Sequence, residues 1–296
     1  MTRHIVLGAL LVVGGLSVAI AQQQAPRPPL PDLTKVKDNL YVIMSSTPGA
    51  EFTGGNTGVF VTDTGVVVVD TKLAGYGPDI LTKIRRVTDK PITMVINTHT
   101  HGDHTGSNEA FPATIDFVAH ENTKASMTKM PAFMGEKAAF LPKRTFKDKM
   151  TVGTGKDRID LYYFGPAHTN GDSWIVYPSL RVMQTGDIFA WRDAPNVDRN
   201  NGGSAVEYPK TLAKAIAGIK DVDTVIPGHS PVTTPKDLQE YQRFVTDWVA
   251  AVQSAAAAGK SVDEAVATIN LSAKYPGYRN ERYKAAITNA YAELGK

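Results

Sequence analysis

Residues 92 to 104 constrain this chain more than any other stretch. The apolar run 92 to 96 reads as a buried strand, and it leads straight into His99-Thr100-His101-Gly102-Asp103-His104. Random placement at this composition would produce such a cluster on the order of once in several thousand chains, so chance is a poor explanation. On extended backbone, residues two apart point the same way, so His99 and His101 can face one ion just past the strand end. A turn at Gly102 then lets Asp103 and His104 reach a second centre a few ångströms away. The chain contains no cysteine, so any metal must rest on nitrogen and oxygen ligands. Imidazole and carboxylate are ligands that suit zinc.

Further strands are expected at 40 to 44, 58 to 61 and 66 to 70, with Thr64-Gly65 as a hairpin turn between the last two. A helix is expected over 79 to 87, then a strand at 115 to 118 and a helix over 122 to 129. Residues 130 to 149 are polar and rich in Met, Lys and Pro. They read as a helical or irregular insertion anchored by Phe133, Phe140, Leu141 and Phe146. Strands resume at 159 to 164, 173 to 176 and 180 to 184. A helix over 208 to 217 stops at Gly218, and a strand at 223 to 226 leads into Pro227-Gly228-His229. From 235 to 296 the pattern is almost wholly helical, most strongly in the Ala-rich stretch 249 to 258. Strand-rich halves that each end in helices predict an α/β chain, two sheets packed together with helices outside.

The 296 residues are enough to bury a core without disulfides. With 42% hydrophobic and 21% charged residues, the composition is that of an ordinary globular protein. A net charge of +3 with no dense Lys/Arg run argues against a nucleic-acid partner. At the N-terminus, Arg3 and His4 precede an apolar stretch, and Ala19-Ile20-Ala21 has the small-x-small form of a cleavage site. The stretch from 5 to 20, about 16 residues, is shorter than the roughly 20 that span a bilayer. Residues 1 to 21 are therefore expected to be a signal peptide, giving a periplasmic or secreted protein with no membrane attachment after cleavage. Residues 22 to 37 are expected to be a linker, Pro/Gln-rich up to Pro31. A catalytic domain over 38 to 232 and a helical extension over 233 to 296, packed on the same domain, complete the expected organisation.

The run His-x-His-x-Asp-His resembles the signature of the metallo-beta-lactamase superfamily, and further motifs follow that family's order. Asp70 ends the strand Val66-Val67-Val68-Val69. His168 lies in Gly165-Pro166-Ala167-His168-Thr169-Asn170-Gly171-Asp172, Asp187 in Thr185-Gly186-Asp187, and His229 in Pro227-Gly228-His229. The match spans roughly residues 38 to 232. The resemblance implies a four-layer αββα sandwich and two zinc ions per chain, with iron or manganese as alternatives. One ion would be held by His99, His101 and His168 and the other by Asp103, His104 and His229, with Asp187 bridging. A metal-bridging hydroxide would attack, since metals lower the pKa of bound water from 15.7 toward about 7. Asp103 would relay a proton to the leaving group, and Asp70 would orient a histidine by hydrogen bond.

This ligand set is more similar to glyoxalase II and lactonases than to lactamases proper. It implies cleavage of an ester, thioester, lactone or lactam bond in a small molecule. A beta-lactamase proper and a non-catalytic periplasmic metal-binding protein are the alternatives. Phe52, in the Gly-rich loop 45 to 56, and Asn200 and Asn201, in the loop 198 to 204, are candidate substrate contacts. His120, a strand-end histidine outside any motif, reads as structural. Substrate and oligomeric state stay open.

Overall fold

The computed structural model describes residues 27–45 and 51–296. The signal peptide and residues 22–26 of the expected linker lie outside them.

Seven strands form one sheet in chain order: β1 (Leu33–Lys37), β2 (Leu40–Ile43), β3 (Thr57–Val61), β4 (Val66–Val69), β5 (Ile92–Ile96), β6 (Asp116–His120) and β7 (Arg144–Phe146). Pairing is antiparallel from β1 to β4 and parallel from β4 to β7. Five strands form the second sheet: β8 (Lys149–Val152), β9 (Ile159–Tyr162), β10 (Trp174–Tyr177), β11 (Val182–Gly186) and β12 (Thr224–Pro227). Their order is β12-β11-β10-β9-β8, and only β11 and β12 run parallel.

Strand periodicity explains the layering. In β4, Val67 and Val69 point into the core between the sheets, while Val66 and Val68 point to the outer face. A strand buried on both faces needs no polar alternation, which is why it reads as four valines. The inter-sheet core joins Leu40, Phe60 and Ile96 to Leu161, Ile175 and Ile226. Outside the first sheet, α1 (Gly77–Ile84) lays Ile80 and Ile84 against Val59, Val68 and Val95. Outside the second, α4 (Tyr208–Gly218), α5 (Pro235–Ala257), α6 (Val262–Thr268) and α7 (Tyr283–Glu293) cover Trp174, Val176 and Val225. Three cores between four layers make the αββα sandwich.

Three expectations need correction. Residues 33–37 are not linker: they form edge strand β1, paired with β2, and Leu30 before them is buried with the α1 core. The Pro/Gln composition stops at Pro31, after which Leu33 and Val36 pack against the cores. The helical or irregular character expected over 130–149 holds only to residue 140: two 3-10 turns (Pro131–Phe133 and Gly135–Phe140) are followed by β7 and the start of β8, which carry the chain from one sheet to the other. Arg144 and Lys149 open the short edge strands β7 and β8, where exposed charge blocks unwanted pairing. Finally, the C-terminal region is not continuous helix, because residues 269–282, including Pro276 and Gly277, interrupt it. α5 starts at a capping box between Thr234 and Asp237 with Pro235 in its first turn. No helix among the described residues is long and apolar enough to cross a membrane.

Candidate metal centre

The cluster lies where parallel strands end, the usual crevice of an α/β sheet. Asp70 follows β4, His99 follows β5, Asp187 directly follows β11 and His229 comes just after β12. His101 is still extended (φ −65°, ψ 146°) and caps the single helical turn α2 (Gly102–Thr105). That turn swings Asp103 and His104 away from His99 and His101. Two glycines allow the close packing. A Cβ at Gly55 would lie 2.2 Å from the His104 ring, and one at Gly228 would lie 2.0 Å from Asp187 Oδ1.

Two groups of ligand atoms result, each with all members within 4.8 Å of one another: His99, His101, His168 and Asp187, and Asp103, His104, Asp187 and His229. In the second group the distances linking Asp103 Oδ2, His104 Nε2, His229 Nε2 and Asp187 Oδ1 run from 3.1 to 3.5 Å. A tetrahedral ion with bonds of about 2.0–2.1 Å separates its ligand atoms by roughly 3.3 Å. In the first group, His168 Nε2 lies 2.9 Å from His101 Nδ1 and 3.8 Å from Asp187 Oδ2. Asp187 belongs to both groups: His229 Nε2 lies 3.1 Å from its Oδ1 and 3.2 Å from its Oδ2, and Oδ2 also faces His168.

The outward nitrogens are held by other groups. His104 Nδ1 is 2.8 Å from Asp70 Oδ2, and His101 Nε2 is 2.7 Å from Asp198 Oδ2. His168 Nδ1 donates to Asn196 O at 2.7 Å. Thr98 Oγ1 donates to Asp70 Oδ2 (2.7 Å), which leaves its lone pairs to accept from His99 Nδ1 at 3.0 Å. These bonds fix each ring with its other nitrogen facing the centre, as outer partners of metal-binding histidines do. His99 Nε2 and Asp187 Oδ1 are buried with no hydrogen-bond partner in the protein, an arrangement a cation would satisfy.

The electrostatics agree. Burial holds His99 well below the usual histidine range and lowers His168 to about 4, so both present neutral nitrogens. Burial opposes charge on His104 and His229, but the carboxylates outweigh it. Asp187, Asp70 and Asp103 lift His104 well above its ordinary value, and Asp187 and Asp103 raise His229. Burial likewise opposes charge on Asp187, yet His229 and His104 hold its carboxyl well below the usual range. The residues present fit metal ions.

Phe52, 52% exposed, stands with its ring centroid 5.4 Å from that of His229, at the rim of the site. The other two substrate candidates, Asn200 and Asn201, sit against the Asp198 carboxylate. Asn200 N and Asn201 N donate to Asp198 Oδ1, and Asn201 Nδ2 donates to Asp198 Oδ2, so the loop braces the carboxylate that holds His101. His120 serves structure: Nδ1 accepts from Asn122 N, Nε2 bonds Lys147 O, and the ring stacks on Tyr163.

Sequence reading missed the roles of Asp198, Thr98, Trp191 and Lys72. Trp191 lies with its ring 5.1 Å from His229. Lys72, fully buried in left-handed backbone (φ 61°), donates from Nζ to Met44 O (2.9 Å) and Gly55 O (2.7 Å), tying both feet of the loop that carries Phe52. Burial lowers its pKa to about 7. The Asp-x-Asn-Asn pattern signals a turn at 198–201; nothing in it signals the distant histidine.

Comparison with known proteins places this geometry. The profile of the metallo-beta-lactamase superfamily matches residues 50–229. A metallo-beta-lactamase type 2 from Elizabethkingia meningoseptica is 26% identical over 206 residues, 67% of this chain and 78% of that protein. The 2,4-dinitroanisole O-demethylase subunit alpha of a Nocardioides strain is 32% identical over 132 residues, only 42% of this chain and 38% of that one. The structure of a metallo-beta-lactamase from Pontibacter korlensis superimposes with a TM-score of 0.62 at 19% identity, covering 73% of this chain and 99% of that chain. At that identity the likeness speaks to the fold.

Proposed function

The chain belongs to the metallo-beta-lactamase superfamily of hydrolases, and from that membership we propose a two-metal, zinc-dependent enzyme that cleaves an ester, thioester, lactone or lactam bond of a small molecule. The observation that carries the reading is that the Asp187 carboxylate belongs to both ligand groups. His99, His101 and His168 would hold one ion, Asp103, His104 and His229 the other, with Asp187 shared. Five imidazoles and two carboxylates suit zinc, with iron or manganese as alternatives. Metal ions bound there would polarise the scissile carbonyl and lower the pKa of water from 15.7 toward about 7.

The protein's own groups supply the rest. Asp103, with 20% of its side chain exposed, is the site carboxylate that both meets solvent and contacts His104 and His229. It is placed to accept a proton and return it to the leaving group. Phe52 and Trp191 flank His229 with apolar surface that narrows water's access. Lys72 and Asp198 act through other residues, the first by fixing the loop and the second by fixing His101.

The test is a panel of chromogenic esters, thioesters, lactones and lactams with the zinc-loaded protein. Lactams belong in it because the Elizabethkingia relative is named a metallo-beta-lactamase. Metal-dependent turnover of one class is expected. A folded, metal-loaded protein that turns over none of them would support a metal-binding protein without catalysis instead.

A further inference from the structure

The family match ends at residue 229, yet residues beyond it reach the rim of the metal centre. Arg282, just before α7, stacks its guanidinium 3.7 Å from the centroid of the Trp191 ring, and Trp191 in turn lies against His229. Trp191 also lines a cleft of about 380 Å³ bounded by Phe189, Pro227 and Val232 from the His229 side and by Gly277 and Arg279 from the C-terminal segment. One aromatic side chain therefore touches the metal centre, a cleft of mixed apolar and polar lining, and a cation.

The cation is uncommitted. Among the described residues the Arg282 guanidinium donates to no carboxylate, although Asp193, which accepts from the Arg282 backbone N–H, and Asp187 lie within reach of its field. Its neighbours differ: Arg192 is paired with Asp237, and Arg279 meets Glu281 at 3.4 Å in an exposed pair of the kind worth little. Arg282 is not needed as a tether either, because Arg279 N already donates to Arg192 O at 3.0 Å and ties the two segments together. A guanidinium stacked on an aromatic ring keeps its N–H edge free for the bidentate bonds that match a carboxylate.

We propose that residues 277–282 give this metal centre an anion-recognition subsite, in which Arg282 binds a carboxylate of the substrate and Trp191 with its cleft takes the apolar part beside it. The inference rests on the hydrolase reading for the word substrate, but the subsite can be tested by binding alone. The substrates it selects are amphiphilic acids, with an apolar body between the scissile bond and the negative charge.

Calorimetric titration of zinc-loaded protein with phenylacetate and with its neutral counterpart phenylacetamide tests this. In Arg282→Gln, phenylacetate affinity should fall about tenfold or more, the scale of one charge-assisted contact, while phenylacetamide changes less than about twofold. Arg282→Lys keeps the charge and should restore most of the loss. Equal weakening of both ligands would mean that Arg282 only shapes the cleft and would overturn the proposal. So would unchanged phenylacetate binding in Arg282→Gln, or no phenylacetate binding by the wild type. The two readings fail separately. Charge-dependent binding without turnover of any ester removes the hydrolase reading and leaves the subsite. Turnover of anionic and neutral esters alike, unaffected by Arg282→Gln, removes the subsite and leaves the hydrolase.

Discussion

Replacing Asp70 with Asn isolates one carboxylate that serves both ligand groups. Asp70 is fully buried, and its oxygens accept three hydrogen bonds: Oδ1 from Thr98 N (2.8 Å), and Oδ2 from Thr98 Oγ1 (2.7 Å) and from His104 Nδ1 (2.8 Å). Through Thr98 it also fixes His99. The backbone at Asp70 is left-handed (φ 63°), a conformation that Asn tolerates better than most side chains, so the substitution leaves the main chain at ease. An amide has a single oxygen. Facing His104, it sets its NH₂ against Thr98 N–H; reversed, it sets the NH₂ against two donors. A buried donor without a partner costs about 1–3 kcal/mol, and a charge-assisted bond is lost as well, so about 2–4 kcal/mol is expected. For a chain of this size that lowers Tm by about 5–10 °C. Outer partners of metal-binding histidines are commonly worth 10–100-fold in affinity, and chelator competition should show a loss on that order. A folded Asp70→Asn protein that holds its metals as tightly as the wild type would refute the argument that this carboxylate orients His104 and His99.

Other expectations follow from the same geometry. Asp103→Asn removes the charge that faces His104 and His229, and steady-state kinetics should show turnover down by on the order of 10²-fold or more; His120→Ala should stay within a few-fold of the wild-type rate while Tm falls, since its ring caps α3 (Glu121–Met127) and bonds Lys147 O. Because carboxylates raise His104 and His229, metal must displace protons from them, so affinity should weaken as pH falls and calorimetry in buffers of different ionisation enthalpy should detect proton release. Bonds from Thr233 and Thr234 lower Asp237 to about 2, so its contribution is present above the free carboxyl's value near 3.8 and is lost as pH falls through about 2. Asp237→Ala should cost about 1 kcal/mol at neutral pH, and its Tm deficit should close toward pH 2.

What could be read from the chain depended on how local each signal was. β4 is legible because burial on both faces leaves an unbroken apolar run, and the His99–His104 run is legible because four side chains able to hold a metal lie within six residues. His168, Asp187 and His229 are isolated along the chain and stand out only beside the family's pattern. Asp198 is not legible as a partner of His101, because their contact spans 97 residues and arises where loops of the two sheets meet. β1 is hard to tell from linker, because an edge strand of five residues with two exposed and none fully buried carries little periodicity. Trp191 and Arg282 lie 91 positions apart in sequence in segments without a regular pattern, so their stacking appears only in the fold.

Elemental analysis of zinc-loaded, desalted protein decides whether both ligand groups hold metal. The account predicts about two zinc ions per chain, the number a paired site bridged by one carboxylate accommodates. A single ion per chain, or none, in folded protein with all seven side chains intact would contradict it.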